Sequence, residues 1–159
     1  MAVIKVGIAD SNVAKAPDSI CTLGLGSCVG VTLFDDAKKI VGMVHVMLPS
    51  TELARSSSYK KAKFADSGVP ELVDMLVQAG ASRMRLKAKM AGGARMFSFE
   101  DSAKGIGQRN IEACKEILRK LGIPIIAEDT GGSHGRTIEA FSDTGVLEVR
   151  TVSKPVIRI

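Results

Sequence analysis

Residues 21–48, CTLGLGSCVGVTLFDDAKKIVGMVHVML, carry the pattern that decides the fold. Two runs within this stretch, 29–34 and 40–48, are rich in β-branched and apolar residues, which predicts two β-strands. The polar residues 35–39 between the runs are typical of a hairpin loop. Pro49 ends the second strand, because proline cannot donate to a sheet ladder. An antiparallel hairpin is therefore the expected centre of the fold.

The length of the hairpin loop predicts which residues face each other. With a four-residue loop at 35–38, Phe34 pairs with Lys39, and counting back along both strands places Cys28 opposite His45. Cβ atoms of such opposed residues are about 4.5 to 5.5 Å apart. The same register collects an apolar face on the other side of the hairpin, which a slip of one residue would divide. The members of that face are Val29, Val31, Leu33, Ile40, Val44, Val46 and Leu48.

A thiol beside an imidazole is an arrangement that can do chemistry. Cysteine attacks as the thiolate, and a neighbouring histidine that accepts its proton supplies the activation that a lone cysteine lacks. Gly24, Gly26 and Gly30 flank Cys28 and leave its backbone open to a substrate. Backbone N–H groups near Gly26, Ser27 and Cys28 are candidate donors to an oxyanion. The alternative is a small core cysteine next to a buried, hydrogen-bonded histidine.

The rest of the chain combines further strands with two helices. Residues 70–79 and 107–121 carry apolar side chains at helical spacing and end at Gly80 and Gly122. Strands are predicted at residues 3–8, 84–90, 123–127, 137–141 and 146–152, whereas 10–19 is expected to be a connection and 50–63 a surface loop. The predicted class is therefore α+β with layered sheets, in a single domain spanning residues 1–159.

Composition argues against several function classes. The 22 Lys and Arg residues exceed the 17 Asp and Glu residues and give a net charge of +5, but they are scattered along the chain. With one Tyr, five Phe and no Trp, nucleic acid is not an expected partner. No apolar run approaches the roughly 20 residues that cross a bilayer, and the start, MAVIKVGIAD, lacks a signal-peptide pattern. We therefore expect a cytoplasmic protein that is not inserted in a membrane.

The remaining cysteines and the second histidine predict no further site. The three cysteines form no CxxC pair, which argues against a disulfide framework or a zinc site. Cys21 and Cys114 have no histidine at a predictable distance and are expected to be structural. His134 lies in a glycine-rich turn and is expected to be a solvated loop residue. Chemistry by a cysteine and a histidine requires no metal or organic cofactor.

Four motifs, spread over most of the chain, together resemble one family. They are Thr22-Leu-Gly-Leu-Gly-Ser-Cys28 followed by His45, Ala91-Gly-Gly-Ala-Arg-Met-Phe97, Ile106-Gly-Gln-Arg-Asn110 and Asp129-Thr-Gly-Gly-Ser-His-Gly-Arg136. In combination they resemble the chemoreceptor glutamine deamidase family, CheD. The resemblance implies that Cys28 is the nucleophile, that His45 is its general base and later its acid, and that Thr22 orients the imidazole. It also implies a layered sandwich of mixed or antiparallel sheets flanked by helices, similar to the deamidase domain of cytotoxic necrotizing factor toxins.

The resemblance further implies a reaction and two partners. The protein would hydrolyse glutamine side-chain amides of methyl-accepting chemotaxis receptors to glutamate, and it would contact the chemotaxis phosphatase CheC. No role follows for His134. Three other hypotheses stay open: a methylesterase acting on receptor glutamate esters, a non-catalytic adaptor that binds receptors and CheC, and, least favoured, a basic nucleic-acid module.

Overall fold

The described residues form two five-stranded β-sheets that pack face to face. The computed structural model describes residues 1–96 and 105–159. The first sheet contains, in spatial order, β1 (Val3–Val6), β3 (Ser19–Leu25), β8 (Arg136–Phe141), β9 (Leu147–Arg150) and β10 (Ile157–Arg158). The second contains β2 (Ser11–Lys15), β5 (Ile40–Val46), β4 (Val29–Asp35), β6 (Lys87–Gly92) and β7 (Ile125–Thr130). Both sheets are mixed, because β1 and β3 pair in parallel, as do β6 and β7.

In the part of the chain that the structure describes, two helices cover the outer face of the second sheet. They are α1 (Ala65–Gln78) and α2 (Ile106–Leu121). Leu72 and Leu118 of these helices share one buried cluster with Val31 and Val44 of the β4–β5 hairpin. The alternating face that the sequence predicts as apolar is therefore the face that meets the helices. Among the described residues, no helix has both the length and the apolar character needed to cross a membrane.

The other face of the hairpin packs against the first sheet. A second buried cluster joins Met43 to Ile20, Leu25 and Ile138 of the first sheet. Gly30 also lies in this interlayer, where the Ile138 and Leu25 side chains occupy the space that a Cβ would need. The order of layers is sheet, sheet, helices, which confirms the predicted α+β class with layered sheets. The likeness to the necrotizing factor domain stays a prediction.

The hairpin register differs by two residues from the predicted one. Asp35 pairs with Ile40 and Gly30 pairs with His45, so the loop comprises residues 36–39 instead of 35–38. The prediction that Cys28 lies directly opposite His45 is therefore wrong. A shift of two residues nevertheless preserves the alternation of faces, so Cys28 remains on the same face as His45.

The side chain of Asp35 explains the observed register. Its buried carboxylate accepts hydrogen bonds from the backbone N–H groups of Ala37, Lys38 and Ser82, and from the Arg85 guanidinium at 3.0 Å. Burial alone would raise the pKa of Asp35, but these hydrogen bonds outweigh it and hold the pKa at about 2. A charged carboxylate with so many donors fixes Asp35 as the last residue of β4.

Three other predicted elements need correction. Residues 10–19 contain β2, an edge strand whose polar residues suit its exposed side. Helix α1 begins at Ala65, so Pro70 lies inside it and not in its first turn. The strand predicted at 84–90 begins only at Lys87, because Arg83–Arg85 forms a 3-10 turn from which Arg85 reaches the carboxylate of Asp35.

The remaining predicted elements are present, with bounds that differ by up to three residues: the strand predicted at 123–127 is β7 at Ile125–Thr130, and the one predicted at 3–8 is β1 at Val3–Val6. Helix α2 ends before Gly122, which adopts a left-handed φ of 72°. The strands predicted at 137–141 and 146–152 correspond to β8 and β9. The segment 50–63 is largely exposed and contains only the short 3-10 helices Thr51–Leu53 and Lys61–Lys63.

Candidate active site

A hydrogen bond across the interlayer joins Thr22 of β3 to His45 of β5. The Thr22 Oγ1 atom lies 2.7 Å from His45 Nδ1 and 2.7 Å from the Val6 carbonyl oxygen, and both side chains are buried. A carbonyl oxygen only accepts, so the Thr22 hydroxyl donates its proton to Val6 and accepts the second bond from a protonated Nδ1. These contacts select the His45 tautomer in which Nε2 is the basic nitrogen.

The Nε2 atom of His45 is suited to accept a proton. It is buried and has no hydrogen-bond partner among the described residues. Burial lowers the pKa of His45 below its ordinary value, so the imidazole is neutral near pH 7. A neutral imidazole with an unused lone pair can act as a general base towards a group that is brought to it.

Cys28 lies at the partly exposed end of the same face. It precedes β4 by one residue and packs against the interlayer cluster. Because Gly30 is the residue directly opposite His45, Cys28 is its diagonal neighbour across the hairpin. Diagonal neighbours are about 7 to 8 Å apart, which is within reach of a side chain of aromatic size such as an imidazole. A substrate can therefore meet the thiol from solvent while His45 stays enclosed.

The Cys28 thiol is protonated in the resting protein. Burial raises its pKa, and a hydrogen bond from its own backbone N–H offsets only part of this effect. Since His45 is neutral as well, the two groups rest as thiol and imidazole and not as an ion pair. Nucleophilic attack then requires a base that accepts the thiol proton as the new bond to sulfur forms.

Hydrogen bonds hold the backbone of the three residues that lead into β4. The carbonyl oxygens of Gly26 and Cys28 accept from the N–H groups of Ala94 and Gly93 at 2.9 and 2.8 Å. The Ser27 carbonyl oxygen accepts from a side-chain amide of α2 at 3.0 Å. All three residues are nonetheless partly exposed. Whether Gly26 and Ser27 help to bind an oxyanion stays a prediction.

Gly92 and Gly93 are positions whose importance the sequence reasoning missed. Gly92 has a φ of 104°, and a Cβ at this position would collide with the carbonyl oxygen of Cys28. Only glycine therefore lets β6 end so close to the proposed nucleophile. A double glycine directly after a strand pattern is the signal that could have indicated this close approach. The same motif ends at Phe97, which lies outside the described residues.

A β-bulge in β3 places two side chains that are three residues apart on the same buried face. The pairing of β3 with β8 shifts between Thr22 and Leu25, and Gly24 adopts a φ of 68°. Thr22 and Leu25, three residues apart, are both buried, whereas Leu23 between them is 59% exposed. Bulges of this kind re-aim side chains beside functional sites.

The other candidate groups lie apart from this arrangement. Cys21 and Cys114 are buried, and burial raises the pKa of both thiols, that of Cys114 to about 12. Their burial agrees with a structural role. His134 is exposed in the loop before β8, as predicted. In residues 1–96 and 105–159, no group of three or more His, Cys, Asp or Glu side chains is arranged to hold a metal ion.

Comparison with solved structures shows the fold. A Bacillus licheniformis protein, described as the hypothetical protein YfiH, superposes with a TM-score of 0.51 at 14% identity over 76% of this chain and 50% of its own. A Neisseria meningitidis protein, NMB0706, gives a TM-score of 0.54 at 10% identity over 83% of this chain and 64% of its own. Identities this low support the layered architecture and carry no argument about activity.

Comparison of sequences shows the family. The chemoreceptor glutamine deamidase CheD of Halalkalibacterium halodurans is 55% identical over 94% of this chain and 94% of its own length. The protein of the same name from Bacillus subtilis is 51% identical over 96% of this chain and 93% of its own. The family model described as CheD chemotactic sensory transduction matches residues 47–151, a segment that begins after Thr22, Cys28 and His45. On these matches, the chain belongs to the CheD family.

Proposed function

We propose that this chain hydrolyses glutamine side-chain amides of methyl-accepting chemotaxis receptors to glutamate, with Cys28 as nucleophile, His45 as general base and acid, and Thr22 as the group that orients His45. The observation that carries this proposal is the hydrogen bond from His45 Nδ1 to Thr22, because it leaves Nε2 basic and unpartnered, among the described residues, on the face that holds Cys28. The relatives' name, chemoreceptor glutamine deamidase, supports the reaction and the substrate class.

In the first half of the reaction, the Cys28 sulfur attacks the amide carbon while its proton passes to Nε2 of His45. The resulting imidazolium keeps its Nδ1–H bond to Thr22, which stabilises the positive charge. It then donates the proton to the amide nitrogen, and ammonia leaves. The acyl group remains on sulfur as a thioester. N–H groups of residues 26–28 are the proposed donors to the oxyanion that forms on the way.

Water completes the reaction in the second half. His45, neutral again, accepts a proton from a water molecule whose oxygen adds to the thioester carbon. The carbon–sulfur bond then breaks, and His45 returns the proton to Cys28. Glutamine and water become glutamate and ammonia, so the atoms balance with water as the only co-reactant.

The test is peptide mass analysis of a receptor cytoplasmic fragment before and after incubation with the purified chain. Conversion of glutamine to glutamate is expected with the unaltered chain and should disappear with Cys28→Ala. Cys114→Ala is the matched control, because it removes a thiol that is buried in α2. Conversion by Cys28→Ala at the rate of the unaltered chain would refute the assignment of the nucleophile.

The same assay separates amide hydrolysis from ester hydrolysis. A methylesterase would use the same thioester, so the receptor fragment is also supplied with methylated glutamate residues. Our proposal predicts that the glutamine amides are hydrolysed faster than the glutamate methyl esters. A chain that removes the methyl esters and leaves glutamine intact would be a methylesterase, and a chain that does neither but binds the fragment would be an adaptor.

A CheC-type chemotaxis phosphatase is proposed as a second partner, and residues 1–159 are proposed to act as one cytoplasmic deamidase domain. The resemblance to the CheD family supports the contact with CheC. Calorimetric titration of CheC into the unaltered chain and into Cys28→Ala should give similar affinities, because an interface of about 1,200 to 2,000 Å² is far larger than one thiol. No heat of binding with either chain would refute this contact.

A further inference from the structure

Asn110 of α2 places its side-chain amide between two segments of the proposed active site. The residue is fully buried, and its Nδ2 atom donates to the carbonyl oxygens of Ser27 at 3.0 Å and Met47 at 2.9 Å. Ser27 directly precedes Cys28, and Met47 lies two residues after His45. Because both acceptors are carbonyl oxygens, they settle which end of the amide is the nitrogen.

These two hydrogen bonds lie just beyond the end of the β4–β5 ladder. The last direct pair of the ladder is Val29 with Val46, and the strands continue without pairing into Ser27 and Met47. The amide of Asn110 therefore takes the place of the ladder bonds that would otherwise join the two strands here. One side chain sets the spacing of the segments that carry the proposed nucleophile and the proposed base.

Stability alone does not account for an asparagine at this position. Asn110 lies on the buried side of α2 together with Ile111 and Cys114, where an apolar residue would complete the amphipathic pattern. Asparagine is also a weak helix former. Its Oδ1 atom is buried without a hydrogen-bond partner among the described residues, which a leucine of similar size would avoid. The contribution of Asn110 at this position is therefore the pair of hydrogen bonds that its Nδ2 atom donates.

A second contact docks α2 against the backbone that supports the nucleophile. A Cβ on Gly107 would lie 2.5 Å from the carbonyl oxygens of Gly93 and Ala94, so the first turn of the helix touches this backbone directly. The N–H groups of Gly93 and Ala94 in turn bind carbonyls of residues 26–28. The helix that presents Asn110 is thus held against the same segment that its amide binds.

We infer that Asn110 is a positioning residue for the reaction: its amide holds the Cys28 backbone at the distance from β5 at which Nε2 of His45 accepts the thiol proton. This inference rests on the proposed function for the identity of the reaction. Since the Asn110 side chain is 0% exposed, it cannot touch a receptor. Its removal is expected to lower kcat and to leave KM unchanged.

Two variants with opposite effects on packing test this role. Asn110→Leu fills the site without a donor, whereas Asn110→Ala leaves a cavity. Both should lower kcat for glutamine hydrolysis about 10- to 100-fold, because misplacement by about 1 Å can cost a factor of 10², with KM within about twofold. Cys114→Ala is the matched control, since it truncates the same buried side of α2 one turn later without touching the amide bonds.

A second measurement is independent of the receptor. Iodoacetamide labelling of Cys28 near pH 7 is followed in the unaltered chain, in Asn110→Leu, in His45→Ala and in the double variant. If Asn110 sets the geometry between Cys28 and His45, His45→Ala should change the labelling rate in the unaltered background and have little further effect in Asn110→Leu. If His45→Ala instead changes the labelling rate by the same factor in both backgrounds, the two residues act independently and the inference is overturned.

The remaining outcomes also decide the question. A folded Asn110→Leu with kcat within twofold of the unaltered chain overturns the inference, as does a fall in kcat for Cys114→Ala equal to that for Asn110→Ala at the same melting temperature. Should Asn110→Ala fail to fold, Asn110→Leu carries the kinetic test. An unaltered chain that leaves the receptor fragment unchanged refutes the proposed function, and the labelling cycle then still decides whether Asn110 positions Cys28.

Discussion

Replacing Thr22 by Val tests whether the hydroxyl serves the reaction, because Val has the same shape without Oγ1. The change removes the 2.7 Å bond to His45 Nδ1 and leaves that buried N–H without its acceptor. His45 is positively charged once it has taken the thiol proton, so the lost bond is one to a charged group and is worth about 1.5 to 3 kcal/mol. At about 1.4 kcal/mol per factor of ten, kcat should fall about 10- to 150-fold. KM should not change, since Thr22 is buried.

The assay is the initial rate of glutamate formation in the receptor fragment over a range of substrate concentrations. Thr32→Val is the matched control: Thr32 is also buried in the interlayer, but its hydroxyl donates to the Lys89 carbonyl at 3.4 Å. Thr22→Ser keeps the hydroxyl and should retain most of the turnover. The loss of buried hydrogen bonds should also lower the free energy of unfolding of Thr22→Val by about 1 to 3 kcal/mol. Circular dichroism therefore verifies folding at the assay temperature.

Two results would refute this reasoning. Turnover by Thr22→Val within twofold of the unaltered chain would show that His45 needs no orienting bond. An equal loss in Thr32→Val would show that any missing hydroxyl in the interlayer has the same effect.

Other predictions concern the thiol, the imidazole and the hairpin. Iodoacetamide should label Cys28 before the two buried cysteines, and equal labelling of all three in the folded chain would contradict this. The labelling rate of Cys28 should keep rising with pH, because burial raises the pKa of its thiol. The Cys28→Ala variant should lose all glutamine hydrolysis while its melting temperature and its calorimetric affinity for the receptor fragment stay close to those of the unaltered chain. The pH profile of kcat/KM should stay flat to mildly acidic pH, since burial lowers the pKa of His45 and only the neutral imidazole accepts a proton; a midpoint above the ordinary value of histidine would argue against this. The pKa of Asp35, about 2, lies below its unfolded value of about 4, so the free energy of unfolding in urea should fall as the pH drops from about 4 towards 2. Arg85→Ala should bring the folded-state pKa of Asp35 closer to the unfolded value and make that fall smaller, and an unchanged acid limb would show that the ion pair does not cause it.

The hairpin faces were predictable from the sequence, but the register was not. Alternation with a period of two decides which residues share a face, and this follows from residues 29–48 alone. The register depends on whether Asp35 belongs to the strand or to the loop. That choice is made by Ser82 and Arg85, about fifty residues further along the chain, whose hydrogen bonds hold the carboxylate in place.

The contact between Thr22 and His45 was available only through the family resemblance. The two residues lie on different sheets, and the order of strands in a sheet does not follow from local patterns. Strand β3, which carries Thr22, shows little alternation because Gly24 lies in it at the bulge. Edge strand β2 was not predicted, because its polar residues are also typical of a connecting loop. Asn110 belongs to one of the sequence motifs, but its hydrogen-bond acceptors could not be predicted. Both lie on the hairpin, more than 60 residues away in sequence, and depend on how α2 packs there.

The hydrogen bond between Thr22 and His45 joins the two sheets, so its length depends on the distance between them. That distance is set by buried apolar side chains of the interlayer, such as Ile138, which fills the space over Gly30. An increase in core volume that spreads the layers would stretch the bond although every residue of the site is retained. Selection for turnover therefore constrains the thickness of the core, and neutral variation should be freer on the helical side than between the sheets.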